Sequence, residues 1–292
     1  MIIDIHAHTS DHKLQGLHTI DASLAYLRRQ AEIFGIKKIF LMATYFPLKK
    51  SGLPNQVLLE KIKGDPLFDC FGSLDMENDF LGGLEELTEL AKAGLISGLK
   101  LYPGYQNFIL SDPTFRPLFI LAEKYQLPVA CHLGELHHCC PKNQRDSLNY
   151  RCGKSYCSLD LEQRTSLSSP KHLALVAKNF PKVNFVACHL ANPWFDDLRQ
   201  CMAESPNIYT DVSGQFLSGT KEDNPAYRQL LVSEIKEFLQ LDGGSERLLF
   251  GTDFPIQSYA DTLALVKALN LAPAIEKRIL SENAKKLLNL EK

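Results

Sequence analysis

Long apolar segments are absent from this sequence, and so is an excess of charge of either sign. No apolar run approaches the ~18 residues that a membrane-spanning helix requires. The 32 basic and 34 acidic side chains give a formal net charge of −2 and form no block of one sign. These absences argue against a membrane protein, a polybasic membrane anchor and a dedicated nucleic-acid-binding protein. The N-terminus also lacks the basic and apolar regions of a secretory signal, so we expect a cytoplasmic protein.

The overall composition is that of an ordinary globular protein. Of the 292 residues, 45% are apolar and 23% are charged. A chain of this length buries roughly three quarters of its unfolded surface, so folding requires neither disulfides nor a metal. Composition therefore excludes disordered, fibrous and small disulfide-stabilised proteins, but it indicates no function.

Eight short, mostly apolar segments recur along the chain and are typical of strands buried on both faces of a parallel sheet. They lie near residues 2–6, 37–43, 68–73, 96–101, 127–132, 183–189, 207–212 and 247–252. Helical patterns separate them, with start signals such as Asp21 and Ser169. We therefore predict an α/β protein, a (β/α)8 TIM barrel that forms a single domain over residues 1–292. A doubly wound open sheet is the alternative, because periodicity does not separate the two.

A long, cysteine-rich loop is predicted after the fifth strand. Its segment 137–157 contains two histidines and the cysteines Cys139, Cys140, Cys152 and Cys157. The spacing is not that of a repeated C-x2-C pair. A structural zinc site, a set of reduced thiols and a lid over the strand ends therefore remain open.

Ionisable side chains follow the predicted strands at their carboxyl ends. His6 and His8 end the first strand, and Lys100 lies at the end of the fourth. His132 ends the fifth strand, His189 ends the sixth, and Asp253 follows the eighth. In a closed barrel these ends meet at one mouth. Because His6 and His8 are two residues apart on a strand, their side chains should point the same way.

Each of these residues has an ordinary structural interpretation when taken alone. A single histidine after an apolar run is more often packed or hydrogen-bonded than bound to a metal. Asp253 could serve as a turn residue or helix cap, and Lys100 could extend to the surface. The joint placement of four histidines and an aspartate at matching strand ends is harder to explain in this way. Imidazole nitrogens with a carboxylate oxygen suit a metal such as zinc.

The sequence resembles the amidohydrolase superfamily, in particular its TIM-barrel branch of metal-dependent hydrolases that also contains non-oxidative decarboxylases. The resemblance runs in family order over almost the whole chain. Its motifs are DIHAH at 4–8, GLKLYPGYQ at 98–106, PVACHLGE at 128–135, VACHLANPW at 186–194, NIYTDVSG at 207–214, LLFGTDFP at 248–255 and ILSENAKKLL at 279–288.

The resemblance implies roles for the matching residues. His6, His8 and Asp253 would bind a divalent metal, most simply Zn²⁺, with Mn²⁺ or Fe²⁺ as alternatives. In a one-metal site His132 would be the remaining protein ligand and His189 would polarise the substrate. In a two-metal site a carboxylated Lys100 would bridge the ions, and both later histidines would bind the second one. The residues alone do not separate these two arrangements.

Three functions are compatible with such a site. The first is hydrolysis of a small-molecule amide, ester or lactone by metal-activated water, with Asp253 moving the proton. The second is non-oxidative decarboxylation of a small aromatic or unsaturated carboxylic acid. The third is a barrel without catalytic activity, in which the metal is structural. We expect a small-molecule substrate, no nucleic-acid or membrane partner, and a chain compatible with a homodimer.

Further residues just after the strands, or in the long loop, are weaker candidates for substrate contact. They are Tyr102, Tyr105, Glu135, Arg151, Trp194, Phe254 and Gln257. For each of them ordinary loop packing or a solvated charge is the simpler interpretation. For Asn283, near the last helix, a capping or loop-bracing role is expected rather than catalysis.

Overall fold

Strands and helices alternate along the chain. The computed structural model describes residues 1–11, 21–45, 53–136 and 161–290. The strands are β1 (Ile2–Ala7), β2 (Ile36–Met42), β3 (Phe68–Gly72), β4 (Gly98–Leu101), β5 (Val129–Cys131), β6 (Phe185–Ala187), β7 (Ile208–Asp211) and β8 (Leu248–Leu249). The helices are α1 (Leu24–Phe34), α2 (Asn55–Ile62), α3 (Phe80–Lys92), α4 (Arg116–Tyr125), α5 (Leu161–Leu167), α6 (Pro170–Asn179), α7 (Phe195–Glu204), α8 (Pro225–Gln240), α9 (Gly244–Arg247), α10 (Tyr259–Ala268), α11 (Pro273–Lys277) and α12 (Asn283–Leu287).

Eight parallel strands form one sheet in the order β1 to β8. Hydrogen bonds between the first strand and the segment that follows the last strand close the sheet into a barrel. The backbone N–H of Ile5 donates to the Phe250 carbonyl at 3.1 Å, and that of His8 donates to the Phe254 carbonyl at 2.7 Å. An open doubly wound sheet would leave these edges apart, so the prediction of a (β/α)8 barrel is confirmed.

The apolar side chains of the strands form two layers, because successive side chains point alternately into the barrel and out toward the helices. Phe40, Phe71 and Ala130 belong to a cluster that draws residues from strands on opposite sides of the barrel and therefore fills its interior. Their strand neighbours Ile39 and Cys70 belong to the larger cluster that packs against the helices. Because successive side chains of a strand point to opposite faces, continuous apolar runs are needed to fill both layers.

Helix starts follow the capping residues, with one correction. The predicted cap Ser169 accepts a hydrogen bond from the Lys171 N–H, and α6 begins at Pro170. For α1 the cap is Ser23 rather than Asp21, since the Ser23 hydroxyl accepts the Tyr26 N–H. Asp21 instead accepts the backbone N–H of Ser23, which stabilises the turn before the helix. Both residue types can cap a helix, so local sequence did not decide between them.

The barrel places the candidate site residues at the carboxyl ends of the strands, where sites of this architecture lie. No helix in the described ranges is long and apolar enough to cross a membrane. The predicted cysteine-rich loop, with Cys139, Cys140, Cys152 and Cys157, lies outside the described residues.

Candidate metal centre and active site

The six ionisable residues singled out in the sequence come together at the mouth of the barrel. His6 lies in β1 and His8 follows it, while Lys100 lies within β4. His132 comes directly after β5. His189 lies in a short 3-10 segment after β6, and Asp253 lies four residues beyond β8. Direct contacts link five of them into two groups, His6–His8–Asp253 and His132–His189, and the sixth, Lys100, contacts His6.

The first group has the spacing of ligands around one ion. Asp253 Oδ1 lies 3.1 Å from His8 Nε2 and 3.5 Å from His6 Nε2. Ligand atoms around a tetrahedral zinc with bonds of about 2.0–2.1 Å lie about 3.4 Å apart. The three ligand atoms therefore fit a common divalent metal.

A buried carboxylate behind His6 sets the orientation of its ring. Asp211 Oδ2 accepts a hydrogen bond from His6 Nδ1 at 3.0 Å, and both residues are fully buried. The proton on Nδ1 leaves Nε2 as the lone-pair nitrogen, and this is the atom that faces Asp253. A carboxylate that fixes the tautomer in this way is the usual support of a metal-binding histidine.

The second group consists of two imidazoles whose nitrogens face each other. His132 Nδ1 lies 3.1 Å from His189 Nε2. The outer nitrogens contact backbone carbonyls: His132 Nε2 lies 3.2 Å from the Glu135 oxygen, and His189 Nδ1 lies 3.1 Å from the Ser213 oxygen. Since a carbonyl only accepts, both outer nitrogens must carry the protons. The facing nitrogens then present two lone pairs, which a shared proton or a metal ion would stabilise.

Lys100 lies beneath the first group. Its side chain is fully buried, with Nζ 3.2 Å from His6 Nε2 and 3.1 Å from Cys188 Sγ. The Tyr102 ring covers the amine at 5.1 Å from the ring centroid. Lys100 therefore contacts the same His6 nitrogen that the metal arrangement requires, and a surface position is excluded.

Burial and neighbouring charges set the protonation of the site. Burial, reinforced by Lys100, lowers the pKa of His6, and burial lowers the pKa of His189 to about 3. Burial alone would raise the pKa of Asp253, but the His8 hydrogen bond and the nearby imidazoles hold it well below its ordinary value. Asp211 is likewise held low by His6. His6 and His189 are therefore neutral, and Asp211 and Asp253 are ionised, which are the protonation states in which imidazole and carboxylate groups bind a metal.

Backbone geometry around the site is specialised. His189 and Asp253 both have positive φ angles, 63° and 53°. Non-glycine residues in this region cost energy and cluster at functional sites. Gly214 has φ +59°, and a Cβ built there would lie 2.8 Å from both Asp253 Oδ2 and His189 Nδ1. Only glycine lets the backbone approach these two side chains.

Comparison with known proteins identifies the family. A sequence profile described as "Amidohydrolase" matches residues 3–290. This chain belongs to the amidohydrolase family. The comparison with curated proteins gave no significant sequence match.

Solved structures similar to this amidohydrolase include both hydrolases and decarboxylases. A probable 2-pyrone-4,6-dicarboxylic acid hydrolase from Acinetobacter baumannii has a TM-score of 0.66 and 16% identity, with 99% of each chain covered. A 2,6-dihydroxybenzoate decarboxylase from Rhizobium has a TM-score of 0.68 and 18% identity, with coverage of 100% and 99%. A dihydroxybenzoic acid decarboxylase from Polaromonas, with bound manganese, has a TM-score of 0.64 and 16% identity, with coverage of 94% and 88%. At these identities the likeness supports the fold and not the reaction.

Sequence reasoning missed the residues that support the ligands. Asp211 closes β7, and its Oδ1 accepts hydrogen bonds from the His189 N–H at 2.8 Å and the Ser213 hydroxyl at 2.5 Å. Asp4 accepts the His6 N–H at 3.0 Å and the Thr252 hydroxyl at 2.7 Å. Both aspartates end or lie within apolar strands, where a buried carboxylate needs partners. An aspartate within an apolar strand was therefore the sequence signal that could have identified these supporting residues.

Some of the weaker candidates for substrate contact are packed into the fold, and others line the candidate site. The Tyr102 hydroxyl donates to the Ala43 carbonyl at 2.8 Å, and the Tyr105 ring packs edge-on against His132 at 4.6 Å between centroids. Phe254 stacks on Tyr26 and is buried.

The remaining candidates for substrate contact likewise include residues that brace the fold and residues that lie beside the candidate site. The Trp194 N–H donates to the Ala191 carbonyl at the start of α7, and Glu135 is exposed beside the site. Gln257 Oε1 accepts the Gln215 N–H at 2.9 Å. Asn283 donates to the carbonyls of Ser245 and Leu248, so its bracing role is confirmed. Arg151 lies outside the described residues.

Proposed function

We propose that this amidohydrolase is a metal-dependent hydrolase that cleaves an amide, ester or lactone bond in a small molecule. The observation that carries the proposal is the group formed by His6, His8 and Asp253. In this group Asp253 Oδ1 lies 3.1 Å from His8 Nε2 and 3.5 Å from His6 Nε2. The fixed tautomer of His6 and the low pKa of Asp253 support the same conclusion. A structural ion would require a closed set of protein ligands, whereas this group lies at the barrel mouth.

His6, His8 and Asp253 would hold the metal, with His132 or the His132–His189 pair completing the ligand set. When bound, a divalent metal such as Zn²⁺, Mn²⁺ or Fe²⁺ supplies a hydroxide at neutral pH and polarises a carbonyl oxygen. One ion would be held without any change to Lys100, whereas a second ion would require a carboxylated Lys100 to supply carboxylate oxygens.

The chain's own residues account for the proton transfers. Asp253 is ionised and partly exposed, with a side-chain exposure of 16%, so it can accept a proton from water and return it to the leaving group. His189 is neutral and held by the Ser213 carbonyl and hydroxyl, which fixes its ring while the substrate carbonyl is polarised. Gly214 keeps the space between these two side chains open.

Non-oxidative decarboxylation is the second candidate. It is the reaction named for the Rhizobium and Polaromonas barrels, which are called decarboxylases of dihydroxybenzoates and are covered over 99% and 88% of their chains. The same ligands could hold a carboxylate and an adjacent oxygen, and the reaction then requires an acid to protonate the carbon that loses CO₂.

The test combines metal content with product analysis. Protein purified without chelator is analysed for metal beside the His6→Ala/His8→Ala double variant, with exposed Glu89→Gln as a surface control. About one equivalent, lost in the double variant, supports the mononuclear site; about two, both lost, supports the bridged site. An equivalent that survives points to the cysteine-rich loop, and a wild type that takes up no metal refutes the proposal.

Product analysis separates the two reactions. Metal-loaded protein is incubated with panels of esters, lactones and aromatic acids, while acid release and headspace CO₂ are both recorded. Acid release that Asp253→Asn abolishes supports hydrolysis. Release of CO₂ without new acid groups supports the decarboxylase.

A further inference from the structure

Three successive residues at the mouth of the barrel have a left-handed backbone conformation. They are His189, Leu190 and Ala191, with φ angles of 63°, 55° and 49°. None of them is a glycine, so this conformation costs energy and persists only where the surroundings enforce it. The turn 189–191 carries the His189 ring, whose Nε2 lies 3.1 Å from His132 Nδ1. The contacts that hold this turn therefore also hold the pair of imidazoles together.

A closed ring of contacts joins the turn to the loop that carries His132. His132 Nε2 donates to the Glu135 carbonyl at 3.2 Å. The Glu135 N–H donates to the Asn192 carbonyl at 2.8 Å, and the Asn192 N–H donates to the His189 carbonyl at 3.0 Å. A Cβ built at Gly134 would lie 2.1 Å from the Asn192 carbonyl oxygen, so only glycine allows the two loops to come this close. Asn192 thus completes the path that links one imidazole to the other.

The Asn192 side chain fastens this ring of contacts to the loop after β7 and to α8. Its Nδ2 donates to the Tyr227 hydroxyl at 2.6 Å and to Gln215 Oε1 at 3.1 Å. Gln215 Nε2 in turn donates at 2.9 Å to the Ser213 carbonyl, which also accepts His189 Nδ1 at 3.1 Å. His189 is therefore held at its backbone through Asn192 and at its ring through a carbonyl that Gln215 braces.

A second buried asparagine shows what a purely structural amide does in this fold. Asn207 is 8% exposed, against 6% for Asn192. Its Nδ2 donates to three backbone carbonyls at 2.8–3.1 Å, those of Ala177, Phe180 and Val183. Asn207 directly precedes β7, so it lies at the end of the barrel opposite the candidate site. The two amides are similarly buried, but that of Asn192 joins the loops that carry the candidate catalytic groups.

We propose that Asn192 is a positioning residue for the reaction at this site. Its side chain keeps the turn 189–191 in the left-handed conformation and so keeps His189 Nε2 against His132 Nδ1. The inference rests on the proposed function for the roles of these two imidazoles. Asn192 acts through His189, and its own side chain takes no part in proton transfer.

The test compares Asn192→Ala with Asn207→Ala, which removes a similarly buried amide. Tyr227→Phe is a milder variant, because it removes one acceptor and leaves the Asn192 amide in place. Metal-free protein labelled with ¹⁵N in its histidines is studied by long-range ¹H–¹⁵N NMR, which reports the tautomer and surroundings of each imidazole. The ring signals are assigned by substituting the histidines one at a time, and urea unfolding reports the stability of each variant.

In Asn192→Ala the ring signals of His132 and His189 should shift or broaden. The signals of His6 should stay in place, because Asp211 holds that ring independently of Asn192. Unchanged signals of His132 and His189 in folded Asn192→Ala would overturn the proposal.

The other two variants keep the proposal open to refutation. Tyr227→Phe should shift the signals of His132 and His189 by less than Asn192→Ala does. If Asn192→Ala fails to fold, the absence of any shift in Tyr227→Phe would overturn the proposal. Asn207→Ala should lower the urea midpoint without moving these signals. An equal shift in Asn207→Ala would also refute the proposal, since the loss of any buried amide would then have the same effect.

Kinetics provide the second readout, with the ester or lactone of the substrate panel that wild type hydrolyses. A misplacement of about 1 Å costs up to about 100-fold in rate, so kcat of Asn192→Ala should fall about 10–100-fold while KM changes little. An equal fall in Asn207→Ala would count against a positioning role.

The outcome is separable from that of the proposed function. Selective shifts of the two imidazole signals in a protein that shows no hydrolysis would support this inference and count against the reaction. Hydrolysis with wild-type kcat in Asn192→Ala would support the reaction and overturn this inference.

Discussion

Replacing Asp211 with asparagine should weaken metal binding about 10–100-fold while preserving the fold. Asp211 Oδ1 accepts hydrogen bonds from His189 N, Ser213 N and Ser213 Oγ at 2.8, 3.2 and 2.5 Å. Its Oδ2 accepts one, from His6 Nδ1 at 3.0 Å. Asparagine keeps the first oxygen and its three hydrogen bonds, and it places an NH₂ group where the second oxygen was.

The new NH₂ group faces a ring nitrogen that already carries a proton. The conflict is relieved when His6 shifts its proton to Nε2, after which the amide donates to Nδ1. Nε2, 3.5 Å from Asp253, then has no lone pair for a metal. Loss of such supporting partners typically costs 10–100-fold in metal affinity, or about 1.4–2.7 kcal/mol. Because hydrogen bonding to His6 is restored in the other tautomer, the folding free energy should fall by only about 1 kcal/mol.

The assay is competitive titration of Zn²⁺ against a chromophoric chelator, with urea unfolding of the metal-free protein beside it. Exposed Asp242→Asn is the matched control and should leave both quantities unchanged. Metal affinity in Asp211→Asn equal to that of wild type would refute the reasoning about the tautomer. A loss of folding free energy as large as the loss of binding energy would show that Asp211 acts through the fold instead.

Three further predictions follow from individual contacts. Gly214→Ala should abolish metal binding and activity, because its Cβ would lie 2.8 Å from Asp253 Oδ2; wild-type metal content and turnover would contradict this. Asn283→Ala should cost about 1–3 kcal/mol of stability in urea unfolding and leave metal affinity intact, because it removes two hydrogen bonds to backbone carbonyls, one of them fully buried, and neither involves a candidate ligand; lost metal affinity in a folded variant would refute the assignment. Burial raises the pKa of Asp4 to about 7 from 3.8. The folded state then binds the extra proton between these values, so stability of the metal-free protein should fall as the pH rises from 4 to 7, and Asp4→Asn should flatten that slope. An unchanged slope in the variant would show that another group titrates.

The sequence by itself determined the alternation of eight strands with helices and the placement of the candidate ligand residues at the strand ends. The eight apolar runs and the helical patterns between them predict parallel βαβ units, and only the structure shows that the sheet closes into a barrel. The same pattern of strands also determines which residues lie at the carboxyl ends of the strands. The meeting of His6 with Asp253 therefore followed from local patterns together with one topological rule.

The tertiary structure decided how those residues are held. His6 and Asp211 are 205 positions apart, and no local signal states that one carboxylate holds both the His6 ring and the His189 backbone N–H. The contact of Arg164 with the Gly104 carbonyl, 60 positions away, likewise depends on which elements pack together. A pattern in sequence reports where a side chain lies along its own element, because strand and helix periods are local. Hydrogen-bond partners across the barrel exist only once the sheet has closed, and these partners set the tautomers, charges and free donors from which the chemistry follows.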